Sequence, residues 1–153
     1  MAQLTPLPPL PPLHVLVVDD DPGDVMIIEE ALAIHGIGST LHIVVDGVYA
    51  MEFLRKEGSH ATAPRPHLVL LDLNMPRKSG REVLAEIAHD SDLASIPVIV
   101  LTTSSADEDV LHSYDLHANA YVTKPVDFAE FEEVVCQIER FYGETVQLPG
   151  RPH

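Results

Sequence analysis

The sequence predicts an α/β domain built as a five-stranded, doubly wound parallel sheet with helices on both faces. Five short apolar runs alternate with amphipathic stretches, and the runs are apolar at nearly every position rather than at every second one. Strands of that kind are buried on both sides, as a parallel sheet between helix layers requires. The chain has 153 residues, 46% of them hydrophobic, enough for one domain with its own core and too few for two comfortable ones.

Residues 1–12 form a Leu/Pro-rich arm, expected to be extended or polyproline-like because its prolines lack N–H groups and restrict their neighbours. The first strand is His14–Val18. Asp21 then caps a helix with Pro22 at its first position and Asp24 in its first turn, and Gly36 lies just past its end. Leu41–Val45 is the second strand, and Asp46 to Gly58 repeats the cap-and-helix scheme. After the third strand, His67–Leu71, the segment "GREVLAEIAHD" sets Val83, Leu84 and Ile87 on one helical face. Pro97–Leu101 is the fourth strand, and Ala106–Leu116 has the weakest helical pattern of the five. Ala120–Thr123 is the last strand. Behind the cap Asp127, Phe128, Phe131, Val135, Ile138 and Tyr142 recur at helical spacing. Residues 13–142 are thus the domain and 143–153 a tail.

Composition removes several function classes. The net charge of −15, from 24 acidic against 9 basic side chains, repels a phosphate backbone, and no basic cluster offsets it, so no nucleic-acid partner is expected. No apolar stretch approaches the about 20 residues that span a bilayer, and the proline-broken N-terminus does not read as a signal peptide. The single cysteine, Cys136, cannot form an intrachain disulfide and reads as an apolar helix position, which fits a reducing compartment. A soluble cytoplasmic protein is expected, with no membrane partner. The nine histidines are scattered, no pair has metal-ligand spacing on a helix, and no function is assigned to them.

In such a sheet the carboxyl ends of the strands share one edge, where ligands bind. They carry Asp19–Asp21 after the first strand, Asp72 after the third, Thr102 after the fourth and Lys124 after the fifth. Clustered carboxylates become tolerable if a hard divalent cation takes their oxygens. Mg²⁺ suits one or two carboxylates, a backbone carbonyl and phosphate oxygens, with Mn²⁺ as its substitute. A carboxylate beside that ion can attack a phosphoryl group. Asp72 is the chosen nucleophile, with Lys124 and the Thr102 hydroxyl facing the phosphoryl oxygens.

With "VLVVDDDP", "LVLLDLNMPRKSG", "PVIVLTTS" and "AYVTKP" in this order, the sequence resembles the receiver domains of two-component response regulators over roughly residues 13–142. The resemblance implies a flavodoxin-like (CheY-like) sheet of order 2-1-3-4-5 with five helices. It also implies that Asp72 is the phosphoacceptor, that Asp20, Asp72 and the Asn74 backbone carbonyl bind the metal, and that Asp19 does so through water. Thr102, Tyr121 and Lys124 match the phosphoryl-binding and switch positions, Asn74 and Ser104 lie where dephosphorylation is tuned, and the Lys124–Pro125 peptide matches a cis bond. Phosphorylation from donors and self-dephosphorylation are expected, without turnover of an external substrate.

"DLNMPRKSGREVLAEI", "LHANAYVTKP" and "ERFYGETVQLP" are further similar to single-domain regulators paired with bacterial and cyanobacterial phytochromes. The implied partner is a phytochrome-type sensor histidine kinase. Since no DNA-binding segment follows residue 142, output is expected through protein contacts, including a homodimer through the fourth helix, fifth strand, fifth helix and tail. Alternatives are a phosphorelay intermediate, a phosphate-independent dimeric interaction module, and a phosphatase using the Asp19-x-Asp21 spacing. Pro22-Gly23 and the lack of an inserted cap domain argue against the phosphatase.

Overall fold

A computed structural model describes residues 13–35, 39–73, 75, 77–102, 118, 120–124 and 127–141. The strands are β1 (His14–Val18), β2 (Thr40–Val44), β3 (Leu68–Asp72), β4 (Val98–Thr102) and β5 (Ala120–Thr123). They pair in parallel in the order β2-β1-β3-β4-β5, as expected. The described helices are α1 (Pro22–His35), α2 (Gly47–Arg55), α3 (Gly80–His89) and α4 (Phe128–Arg140), with a 3₁₀ turn at Gly58–His60. The Leu/Pro arm, the helix expected over 106–116, Tyr142 and the tail lie outside the described residues.

Successive residues of each central strand enter opposite cores. Leu16 and Val18 of β1, Val69 and Leu71 of β3, and Val98 and Val100 of β4 pack with Val83, Leu84 and Ile87 of α3 and with Met51, Phe53 and Leu54 of α2. Their neighbours Val15, Val17, Leu68, Leu70, Ile99 and Leu101 pack with Ile28 and Leu32 of α1 and with Phe131, Val135 and Cys136 of α4. Both faces of the strand are therefore dry, which explains the unbroken apolar runs.

The edge strands depart from that pattern. In β2, Thr40 and Ile43 are exposed and Leu41 and His42 half-buried; in β5, Ala120, Tyr121 and Val122 are half-buried. A strand paired on one side only, at the rim of both helix layers, keeps contact with solvent. The expected strands Leu41–Val45, His67–Leu71 and Pro97–Leu101 also begin and end one residue away from the observed β2, β3 and β4. Polar ends account for the shift at β3 and β4, because Asp72 and Thr102 stay in the ladder opposite Leu101 and Thr123.

Helix starts follow the capping rules. Asp46 caps α2 by accepting the Tyr49 N–H at 2.9 Å, and Ser79 and Glu82 form a reciprocal capping box on α3. Asp127 caps α4 by accepting the Glu130 N–H at 3.1 Å. Lys56 ends α2 in the left-handed region with φ 56.

Between β3 and α3 the chain doubles back on itself. Gly80 donates its N–H to the Leu73 carbonyl at 3.0 Å, and a Cβ at position 80 would lie 2.6 Å from the Leu73 Cα and overlap the Asp72 carbonyl oxygen. Only glycine allows this approach. Gly80→Ala is therefore expected to lower the unfolding free energy by about 3 kcal/mol, since backbone rather than a flexible side chain must move. Urea denaturation checks this, and a midpoint equal to that of the parent protein would contradict it.

Candidate functional site

β1 and β3 pair with Val18 opposite Leu71, so one step further along the strands Asp19 lies level with Asp72. The two chains run about 4.8 Å apart there, which brings both carboxylates to the same rim. Asp19 is 1% and Asp72 5% exposed, whereas Asp20 is exposed. One carboxylate oxygen from each of Asp19, Asp20 and Asp72 lies within 4.8 Å of the others, the only such His/Cys/Asp/Glu group among the described residues.

The three consecutive aspartates divide their work by geometry. Asp19 turns inward, and its Oδ1 accepts the Asp21 N–H at 2.9 Å. Asp21 accepts the Gly23 N–H at 2.8 Å through its side chain and the Val25 N–H at 3.1 Å through its carbonyl, so it caps α1. Asp20, between them, is left in the acidic cluster with solvent access.

Lys124 follows β5 and crosses to this cluster. Its Nζ donates to Asp24 at 2.6 Å and to Asp19 Oδ2 at 3.1 Å, and lies 3.5 Å from Asp72 Oδ1. The lysine side chain is only 8% exposed. Burial alone would favour the neutral amine, but hydrogen bonding to Asp24 and the charges of Asp19, Asp72 and Asp24 outweigh it, so the ammonium holds its proton more tightly than an ordinary lysine. Burial pushes the Asp19 carboxyl above its usual range, although the Asp21 N–H and Lys124 pull the other way.

Asp24 was legible only as a first-turn helix acid, yet it makes the shorter of the two hydrogen bonds from Lys124. Tyr121 is half-buried, packs against the core on the α2/α3 side, and accepts the Ala118 N–H through its hydroxyl at 3.0 Å. Thr102 closes β4 at the same rim, while its side chain, Asn74, Ser104 and Pro125 lie outside the described residues.

Chemically, the rim offers hard oxygen donors of the kind that bind divalent cations, a buried carboxylate at a strand end, and an ammonium between them. Residues 15–136 match the response regulator receiver domain family. The chain is 48% identical over 136 residues to the response regulator Rcp1 of Synechocystis sp., covering 89% of this chain and 92% of that protein. It is also similar to the crystal structure of the phosphorylated cyanobacterial phytochrome response regulator RcpA, with a TM-score of 0.85 and 46% identity over 92% of this chain and all of that one (100%). The Mn²⁺-bound form of Rcp1 superposes with a TM-score of 0.84 at 47% identity, covering 91% of this chain and 100% of that one.

The raised Asp19 carboxyl has a testable sign. Its folded form holds a proton more tightly than its unfolded form, so its contribution to stability is present below the unfolded value near 3.8 and is lost as pH rises through the folded one. At pH 7 without metal, Asp19→Asn removes a buried charge and keeps one acceptor oxygen for the Asp21 N–H, while the amide nitrogen replaces Oδ2 and leaves Lys124 to Asp24 and Asp72. Its urea midpoint is expected to exceed that of the parent protein at pH 7, with the gap closing towards pH 4. A lower midpoint at pH 7 would contradict this reading.

Proposed function

The chain belongs to the response regulator receiver domain family, and from that membership we propose that Asp72 accepts a phosphoryl group from a phytochrome-type histidine kinase in a Mg²⁺-dependent reaction. The observation that supports it best is the convergence of Asp19, Asp20, Asp72 and Lys124 from β1, β3 and β5 onto one rim. The phytochrome pairing rests on the likeness to RcpA, and a divalent cation is consistent with the Mn²⁺-bound Rcp1.

Asp20, Asp72 and the Asn74 carbonyl would hold the cation, with Asp19 contributing through water, and this all-oxygen donor set fits Mg²⁺ or Mn²⁺. When bound, the ion neutralises carboxylate charge and draws charge from the phosphoryl oxygens. An Asp72 carboxylate oxygen forms the new bond to phosphorus as the bond to the donor's imidazole nitrogen breaks, and the released imidazole takes a proton. Lys124, already 3.5 Å from Asp72 Oδ1, is placed to follow the negative charge onto the phosphoryl group. Water attack on the aspartyl phosphate returns inorganic phosphate, with positions 74 and 104 controlling the approach.

Phosphoryl oxygens recruit the Thr102 hydroxyl, and Tyr121 turns inward behind it. That turn sacrifices the contact between the tyrosine hydroxyl and Ala118 N–H, a loss of about 1 kcal/mol that charge-assisted bonds to phosphate can offset. The altered face, which includes β5 and α4, carries output as a homodimer. Phe141, 52% exposed just beyond α4, supplies apolar surface for it.

Incubation with labelled acetyl phosphate and Mg²⁺ is expected to give hydroxylamine-labile label on the parent protein, lowered by at least about 100-fold in Asp72→Asn, because the amide removes the carboxylate oxygen that bonds to phosphorus. Full labelling of Asp72→Asn would overturn the assignment.

A further inference from the structure

The loop that leaves Asp72 is pinned to α2 by a pair of residues that phosphoryl transfer does not use. Arg77 sits at φ 62, in the left-handed region that residues with a Cβ seldom occupy. Such a conformation persists where surrounding contacts over-determine it. Here the contacts are visible. Arg77 Nε and Nη2 both donate to Asp46 Oδ2, at 2.8 and 2.6 Å, and the guanidinium carbon lies 4.8 Å from the centre of the Tyr49 ring.

Asp46 serves two structures at once. Its Oδ1 caps α2 through the Tyr49 N–H, while Oδ2 is given to Arg77. Burial would raise its carboxyl, but the Tyr49 N–H and Arg77 outweigh burial and hold it below the usual range. The next residue repeats the tie: Gly47 donates its N–H to the Lys78 carbonyl at 3.1 Å, and a Cβ there would overlap that oxygen. Residues 77 and 78 are therefore both held by the first turn of α2. At the far side, Gly80 closes onto Leu73 at 3.0 Å.

We propose that Arg77 is a positioning residue, whose ion pair with Asp46 latches the loop leaving Asp72 to α2 and thereby sets the cation affinity of the acidic cluster and the rate of phosphoryl transfer. The proposal rests on the function argued above, in which a carbonyl from this loop joins the metal donors. Arg77 is 51% exposed but the Asp46 side chain only 6%, so losing the pair also leaves a buried carboxylate with fewer partners and lowers stability, and the latch is read from local amide exchange and cation affinity rather than from melting. Those readouts separate it from a fold-stabilising residue.

Arg77→Ala, Asp46→Asn and the double variant test it, because Asn keeps an acceptor for Tyr49 N–H while replacing the oxygen that accepts both Arg77 bonds with an NH2 donor. In metal-free protein, the Gly47 amide is expected to exchange with deuterium about tenfold faster in each single variant, and Mg²⁺ to bind about tenfold more weakly. The double variant should be no worse than either single one, and every variant should remain folded by circular dichroism at the temperature of the measurements. Unchanged amide exchange, parent-like Mg²⁺ affinity in Arg77→Ala, or losses that multiply in the double variant would overturn the latch. If the parent protein neither binds Mg²⁺ nor labels, the functional reading fails instead, while Gly47 exchange still decides whether the latch exists.

Discussion

A single ammonium group holds together a rim of carboxylates that would otherwise repel one another. Lys124 reaches Asp19 and Asp24, 105 and 100 residues away in the chain, by hydrogen bonds and lies 3.5 Å from Asp72. With one positive charge among four aspartates, Asp20 included, the rim remains short of cation. That residual charge is what gives a divalent ion its place, and it makes the site responsive: an added phosphoryl group changes the balance that positions the lysine.

The parallel sheet creates this arrangement without any local sequence motif needing to know of another. Register alone sets Asp19 beside Asp72, and the order β2-β1-β3-β4-β5 puts both acidic strands at the centre, where helices on each side exclude water. Central placement is the physical source of the low exposure of Asp19 and Asp72. It is also why Asp20, one residue further beyond the end of β1, stays accessible to an incoming ion while its carboxylate remains in the cluster.

Much of this was legible from residue order. Strand ends could be named because apolar runs stop at charges, and the helix caps Asp21, Asp46 and Asp127 follow local chemistry that a few residues encode. The partners of those charges were not legible. Asp24 reads as an ordinary helix-start acid until the fold brings Lys124 to it, and nothing in "NMPRKSG" says that Arg77 turns back to Asp46. The histidines make the same point. His14 Nδ1 lies 3.0 Å from His42 Nε2, and His67 Nδ1 accepts the His14 N–H at 3.0 Å, a row across β2, β1 and the entry to β3. Contacts between strands depend on sheet order and register, which periodicity within one segment does not carry. The half-exposed β2 and β5 were missed for the same reason, because being an edge is a property of the sheet rather than of the strand.

The most direct test of the account is a titration of the metal-free protein with Mn²⁺ followed by paramagnetic resonance, which counts bound ions independently of any phosphoryl donor. The account predicts one saturable Mn²⁺ per chain, displaced by millimolar Mg²⁺ and lost in Asp20→Asn. Absence of saturable binding, or an Asp20→Asn protein that binds Mn²⁺ as the parent does, would contradict the claim that the carboxylate rim is built around a divalent cation.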